Sequence, residues 1–136
     1  MYFMARHTSI DCFEKRGRKG YLFIIGDELA YRKVKKAEVR RVIGDEVGED
    51  IRTEAILAEL KRRYHVYYVL PAGASYVGDA RTTAYWRNLL GQNFIELDDL
   101  DGPASTRLAR LADLDGDVGG LLRDEDVIIA AEVVEP

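Results

Sequence analysis

The sequence predicts an α/β domain in which a parallel sheet is covered by helices, a three-layer, Rossmann-like arrangement. Three observations lead there. The run Tyr21-Leu22-Phe23-Ile24-Ile25 is unbroken apolar sequence, stopped by Gly26-Asp27-Glu28. Such a run reads as a strand buried on both faces. A second run, His65-Val66-Tyr67-Tyr68-Val69-Leu70, stops at Pro71-Ala72-Gly73. Between and after these runs lie segments with helical spacing, and strands separated by helices imply parallel pairing through right-handed crossovers.

In chain order, residues 1–7 read as the last turns of a helix, apolar from the first position. A helix opening at Met1 with no strand before it looks like the middle of a domain. A polar loop follows and turns through Glu14-Lys15-Arg16-Gly17-Arg18-Lys19-Gly20. Residues 21–25 form the first strand. A basic helix covers about 31–43 and stops at Gly44-Asp45. A second helix covers about 51–63, with Ile56, Leu60 and Tyr64 at four-residue spacing on one face. The second strand, 65–70, precedes a helix over about 80–90 that carries Tyr85, Trp86, Leu89 and Leu90. Gly91-Gln92-Asn93 ends that helix, and Phe94-Ile95-Glu96-Leu97 is the third strand. Residues 98–102 read as a loop, and Pro103 suits the first turn of a helix running to about Leu111. Residues 113–120 form an acidic, glycine-rich loop. Residues 126–134 fit helix and strand alike, because Val127-Ile128-Ile129 suits both. There is no internal repeat and no long linker.

The 136 residues suit one domain with a real core, which needs neither disulfide nor structural metal to fold. Cys12 is the sole cysteine, so no internal disulfide forms and a reducing compartment is expected. No stretch approaches the length of a membrane-spanning helix, and the first residues lack a signal-peptide layout. The expectation is a cytoplasmic protein. Charge is uneven: residues 1–89 hold 17 Lys or Arg against 12 Asp or Glu, and residues 90–136 hold 3 against 12. That asymmetry suits self-association or a basic partner, and equally suits solvated helix faces.

The stretch from Tyr2-Phe3-Met4-Ala5-Arg6-His7-Thr8-Ser9-Ile10-Asp11-Cys12 through Tyr21-Leu22-Phe23-Ile24-Ile25-Gly26-Asp27-Glu28 resembles a group of bacterial proteins of the von Willebrand factor A type. Val66-Tyr67-Tyr68-Val69-Leu70-Pro71 and Asn93-Phe94-Ile95-Glu96-Leu97-Asp98 are similar to the same group. The likeness runs to about Leu111 and is most specific over residues 21–28. It implies a Rossmann-like sheet flanked by helices. It also implies adhesion or complex assembly through a divalent metal at the top of the sheet. In that family an Asp-x-Ser-x-Ser motif after the first strand, a later loop Thr and an Asp after the fourth strand hold the metal. Asp27 matches the last of these. No Asp-x-Ser-x-Ser occurs here, so the likeness is to the second half of the domain, truncated before its first metal motif. Thr8 follows a helix that the family's Thr precedes, so that role is not carried over. Mg²⁺ demands octahedral oxygen ligation, and Asp27 alone leaves such a site incomplete. The other role for Asp27 is capping or a solvated loop position. No other cofactor is expected.

Asp98-Asp99-Leu100-Asp101 follows the third strand and so falls on the same sheet edge as Asp27. Asp98 and Asp99 would gather a cation there, or cap the helix near Pro103. Asp113-Leu114-Asp115-Gly116-Asp117, with Asp124, spaces carboxylates as an EF-hand loop does. Val118 replaces the turn glycine, though, and Asp124 the bidentate Glu, so an acidic surface loop is the expectation. His7, Asp11 and Cys12 are types that bind zinc or build a nucleophile, but the only other histidine is His65, and Cys12 reads as packed under the sheet. Gly44-Asp45-Glu46-Val47-Gly48 and Pro71-Ala72-Gly73-Ala74 lack the Gly-Lys-Ser/Thr ending of a phosphate loop. The basic segment with Arg32, Lys33, Lys35, Lys36, Arg40 and Arg41 reads as a solvated amphipathic helix, with neither nucleic acid nor membrane as partner.

These readings give a non-enzymatic protein-interaction module. Two alternatives remain: a metal-assisted hydrolase using Asp27 with Asp98, Asp99 or Asp101, and a truncated product without independent function. Residues 21–25 would be central in a whole domain and here are expected at the sheet edge. An apolar edge strand is sticky, so Tyr21, Leu22, Phe23, Ile24 and Ile25 are expected to pair or pack against a second copy in a homodimer.

Overall fold

A computed structural model describes residues 1–71, 74, 77–96 and, for their strand pairing, 127–131. Its centre is a wholly parallel four-stranded sheet. β1 (Gly20–Ile25) pairs with β4 (Tyr64–Leu70) on one side and with β6 (Val127–Ala131) on the other. β5 (Phe94–Glu96) lies outside β4, which gives the order β5-β4-β1-β6. Side chains alternate as the pleat requires. Leu22 and Ile24 share one face with Tyr64, Val66, Tyr68 and Leu70. Tyr21 and Phe23 share the other with Tyr67 and Val69. Leu22 and Phe23 are each 0% exposed, so both faces are covered, and that is why β1 reads as a continuous apolar run.

Five helices accompany the sheet in the described residues: α1 (Tyr2–Arg6), α2 (Asp11–Arg16), α3 (Lys36–Val42), α4 (Thr53–Arg63) and α5 (Ala80–Leu90). All send their buried side chains to the face that carries Leu22 and Tyr68. α4 contributes Ile56, Leu57 and Leu60, and its last turn carries Lys61, Arg62 and Arg63 against the helix dipole. Arg63 also donates to the carbonyls of Ala5, in the last turn of α1, and of Thr8, just beyond it. The Asp79 carboxylate caps α5 by accepting from the Thr82 N–H (2.9 Å) and hydroxyl (2.6 Å).

The expected β1 edge is corrected by this topology. β6 is hydrogen-bonded along one side of β1 and β4 along the other, so neither side of residues 21–25 is free to pair with a second copy. Four of the five side chains are also buried. The segment left open between helix and strand supplies the missing neighbour as β6. Two helix expectations shift as well. Residues 31–35 are not helical: β2 (Lys33–Val34) pairs antiparallel with β3 (Ile51–Arg52), and α3 and α4 start only beyond them. The polar loop contains α2, held by a Lys15–Asp11 pair at 2.6 Å. Gly17 closes α2 with φ +64°, while Arg18 N–H donates to the Cys12 carbonyl at 3.0 Å.

In sequence order the parallel strands run third, second, first, fourth across the sheet. This is the order at which a doubly wound sheet reverses direction, and in such sheets ligands occupy the crevice outside the strands' carboxyl ends. Among the described residues no helix is long and apolar enough to cross a membrane. The acidic segments 98–102 and 113–120, and the helix expected after Pro103, lie outside the described residues.

Candidate functional site

At the carboxyl end of β1 the chain stays paired for one more residue, with Gly26 N–H donating to the Val69 carbonyl at 3.2 Å. It then turns away, and its backbone is taken up by groups from the elements behind it. The Glu28 carbonyl accepts from both Tyr68 Oη and Trp86 Nε1, each at 3.0 Å. The Ala30 carbonyl accepts from Tyr85 Oη at 3.4 Å. The Tyr31 carbonyl accepts from the Thr53 hydroxyl, and the Arg32 carbonyl from the Thr53 N–H at 3.1 Å. The donors stand firm: the Tyr68 and Trp86 rings stack at 3.7 Å, and Tyr85 meets Trp86 edge-on at 5.2 Å. Gly26 is required by this packing, since a Cβ there would lie 2.8 Å from Tyr68 Oη.

With its carbonyls held inward, the loop turns polar and aromatic side chains outward. Asp27 is half-buried, Glu28 is exposed, and Tyr31 is 80% exposed. Asp27 therefore stands where the sequence put it. The two carboxylates expected beside it, Asp98 and Asp99, lie outside the described residues. Among the described residues no three or more His, Cys, Asp or Glu side chains gather as metal ligands.

The candidates near the amino terminus separate. His7 goes to Asp45, Asp11 goes to Lys15, and Cys12 is buried at 3% exposure. Thr8 meets Tyr64 Oη at 2.9 Å. Tyr64 opens β4 and pairs with Gly20, so Thr8 sits at the opposite end of the sheet from Asp27. His65 stacks on Tyr21 at 5.0 Å.

A second locus was not visible in the sequence. Asp45 Oδ2 accepts from Tyr2 Oη at 2.7 Å and lies 2.6 Å from His7 Nε2. These contacts, Tyr2 first, hold the Asp45 carboxyl below its ordinary range. Burial, then the contact with Asp45, raises the Tyr2 phenol. Arg6 clamps Glu59 through two hydrogen bonds, 2.9 and 3.1 Å, with its guanidinium over the Tyr2 ring. The turn held in this way forms one wall of a groove of about 580 Å³ beside α3, lined by Lys36, Ala37, Arg40, Arg41, Glu46 and Val47. Arg40 Nε binds Glu46 Oε1 at 3.0 Å within it. The four-residue spacing of Lys36 with Arg40, and of Ala37 with Arg41, was the available signal. The wall itself depends on contacts made 38 and 43 residues away.

No family model matches this chain, and no curated protein or solved structure matches it either.

Proposed function

We propose that the chain is a non-enzymatic protein-interaction module, similar to part of a von Willebrand factor A domain. It acts on a second copy of itself or on another protein rather than on nucleic acid or membrane. The observation that carries this reading is the loop after β1. Its backbone is immobilised at Glu28, Ala30, Tyr31 and Arg32, while Tyr31 projects into solvent. A rigid loop loses little conformational freedom on docking, and Tyr is among the residues that most often dominate binding energy.

The test is the molar mass in solution by light scattering at micromolar concentration, with and without Mg²⁺. A metal-independent dimer that Tyr31→Ala returns to monomer supports the reading. Asp27→Asn is expected to leave that dimer intact. Assembly that needs Mg²⁺ and disappears in Asp27→Asn would transfer the role to a metal contact at Asp27. A monomer under all conditions removes self-association.

A further inference from the structure

We infer that the groove between α3 and residues 44–47 docks an acidic segment of a partner protein, one whose carboxylates are interleaved with apolar side chains. This inference rests on the interaction reading above and assigns it a second surface and a partner chemistry. Among the described residues three cations line the groove, Lys36, Arg40 and Arg41, against one carboxylate, Glu46. The Arg40–Glu46 contact at 3.0 Å shows that the groove geometry accepts a carboxylate. Among the described residues neither the Lys36 ammonium nor the Arg41 guanidinium is in direct ion-pair contact, although the Lys36 charge also acts on the Asp50 carboxylate. Ala37 and Val47 give the same groove an apolar wall on which a peptide side chain can pack.

The cleft is built before a ligand arrives. Asp45 fastens the wall carrying Glu46 and Val47 to Tyr2 and His7. Asp50 fastens the start of α3, taking the Lys36 N–H at 3.0 Å and the Lys33 ammonium at 2.7 Å. A peptide fits better than a nucleic acid strand. Among the described residues no aromatic ring lines the groove to stack a base. A peptide carboxylate can instead share Arg40 or displace Glu46 from it.

The experiment uses the full chain and a fluorescein-labelled peptide alternating glutamate with leucine, read by anisotropy. A lysine–leucine peptide and single-stranded oligothymidylate serve as controls. The acidic peptide is expected to bind, and Lys36→Glu and Arg41→Glu are each expected to weaken it about tenfold or more. Glu46→Gln frees Arg40 and is expected to tighten binding severalfold, a gain that misfolding cannot mimic. Unchanged affinity in Lys36→Glu and Arg41→Glu would overturn the inference. Tighter binding of oligothymidylate than of the peptide would do so as well. So would a dimer of the free chain that Arg41→Glu dissolves, because the groove would then hold a second copy. Tyr31→Ala separates the two readings. If Tyr31-dependent assembly persists while the acidic peptide fails to bind, only the groove assignment falls. If the peptide binds while Tyr31→Ala changes nothing, only the loop reading falls.

Discussion

Two stretches of this chain are held against the body of the protein by opposite means. The loop after β1 is fixed by neutral donors, a phenol, an indole and a threonine, that reach backbone carbonyls from behind it. The turn at 44–47 is fixed by an ionised carboxylate that α1 grips at the surface. The first set lies among buried rings, where a carbonyl that loses its donor costs more than the bond itself is worth. The second set lies in partial contact with water, where screening keeps ion pairs weak and acid can dismantle them. One region is therefore indifferent to pH and salt over the usual range, and the other is tuned by both.

The strongest way to break this contrast is Trp86→Ala. Trp86 is 0% exposed and supplies one of the two donors to the Glu28 carbonyl. Truncation is expected to cost about 3–5 kcal/mol in chemical denaturation. A loss below about 1 kcal/mol would mean that the stack does not hold the loop. Next comes Gly26→Ala, whose new methyl would sit 2.8 Å from Tyr68 Oη, with an expected cost of about 1–3 kcal/mol. Tyr68→Phe alone removes one donor and should cost about 0.5–1.5 kcal/mol. Combined with Gly26→Ala it also removes the clashing oxygen, so the double variant should be more stable than the sum of the singles. Strict additivity would show that the close approach is not what excludes a side chain at position 26.

On the other side of the comparison the lever is pH. Asp45 is depressed in the folded state, so its contribution is fully present above the ordinary carboxylate range, about pH 4, and is lost as pH falls through and below it. Tyr2 is raised, so its contribution holds below about pH 10 and is lost as pH rises through the folded value. The gap in unfolding midpoint between the native chain and Asp45→Asn should therefore narrow under acid, while Trp86→Ala should show no such trend. A gap that stays constant from neutral to strongly acidic pH would contradict the ionised latch. The smallest effect is expected at Tyr31→Ala: its side chain is 80% exposed, so stability should change by no more than about 0.5 kcal/mol. A larger loss would make Tyr31 part of the fold and not of a binding surface.

How much of this was legible in the sequence follows the same divide between local and distant causes. β1, β4 and α5 were readable because burial on both faces, or a capped amphipathic period, writes itself into consecutive residues. β6 was not, because Val127-Ile128-Ile129 suits two conformations and only its pairing with Tyr21, Leu22 and Phe23 decides between them. The expected edge at β1 failed for that reason. Residues 31–35 carry helical spacing, yet Val34 pairs with Ile51, and that pairing outweighs local preference. The position of Asp27 followed from the rule for strand ends. Its setting did not follow: the donors to Glu28 come from residues 40 and 58 positions away, and nothing near Glu28 announces them.

Trp86 is the sole tryptophan in the chain. Its indole is stacked on one phenol, edge-on to another, and hydrogen-bonded to the loop that carries Asp27 and Tyr31. The fluorophore is thus coupled to the loop proposed above as a binding surface. Anything that lifts Glu28 from its donors changes the polarity and the quenching that the excited indole meets. Emission from the unlabelled protein therefore reports on the loop directly, with no background from a second tryptophan.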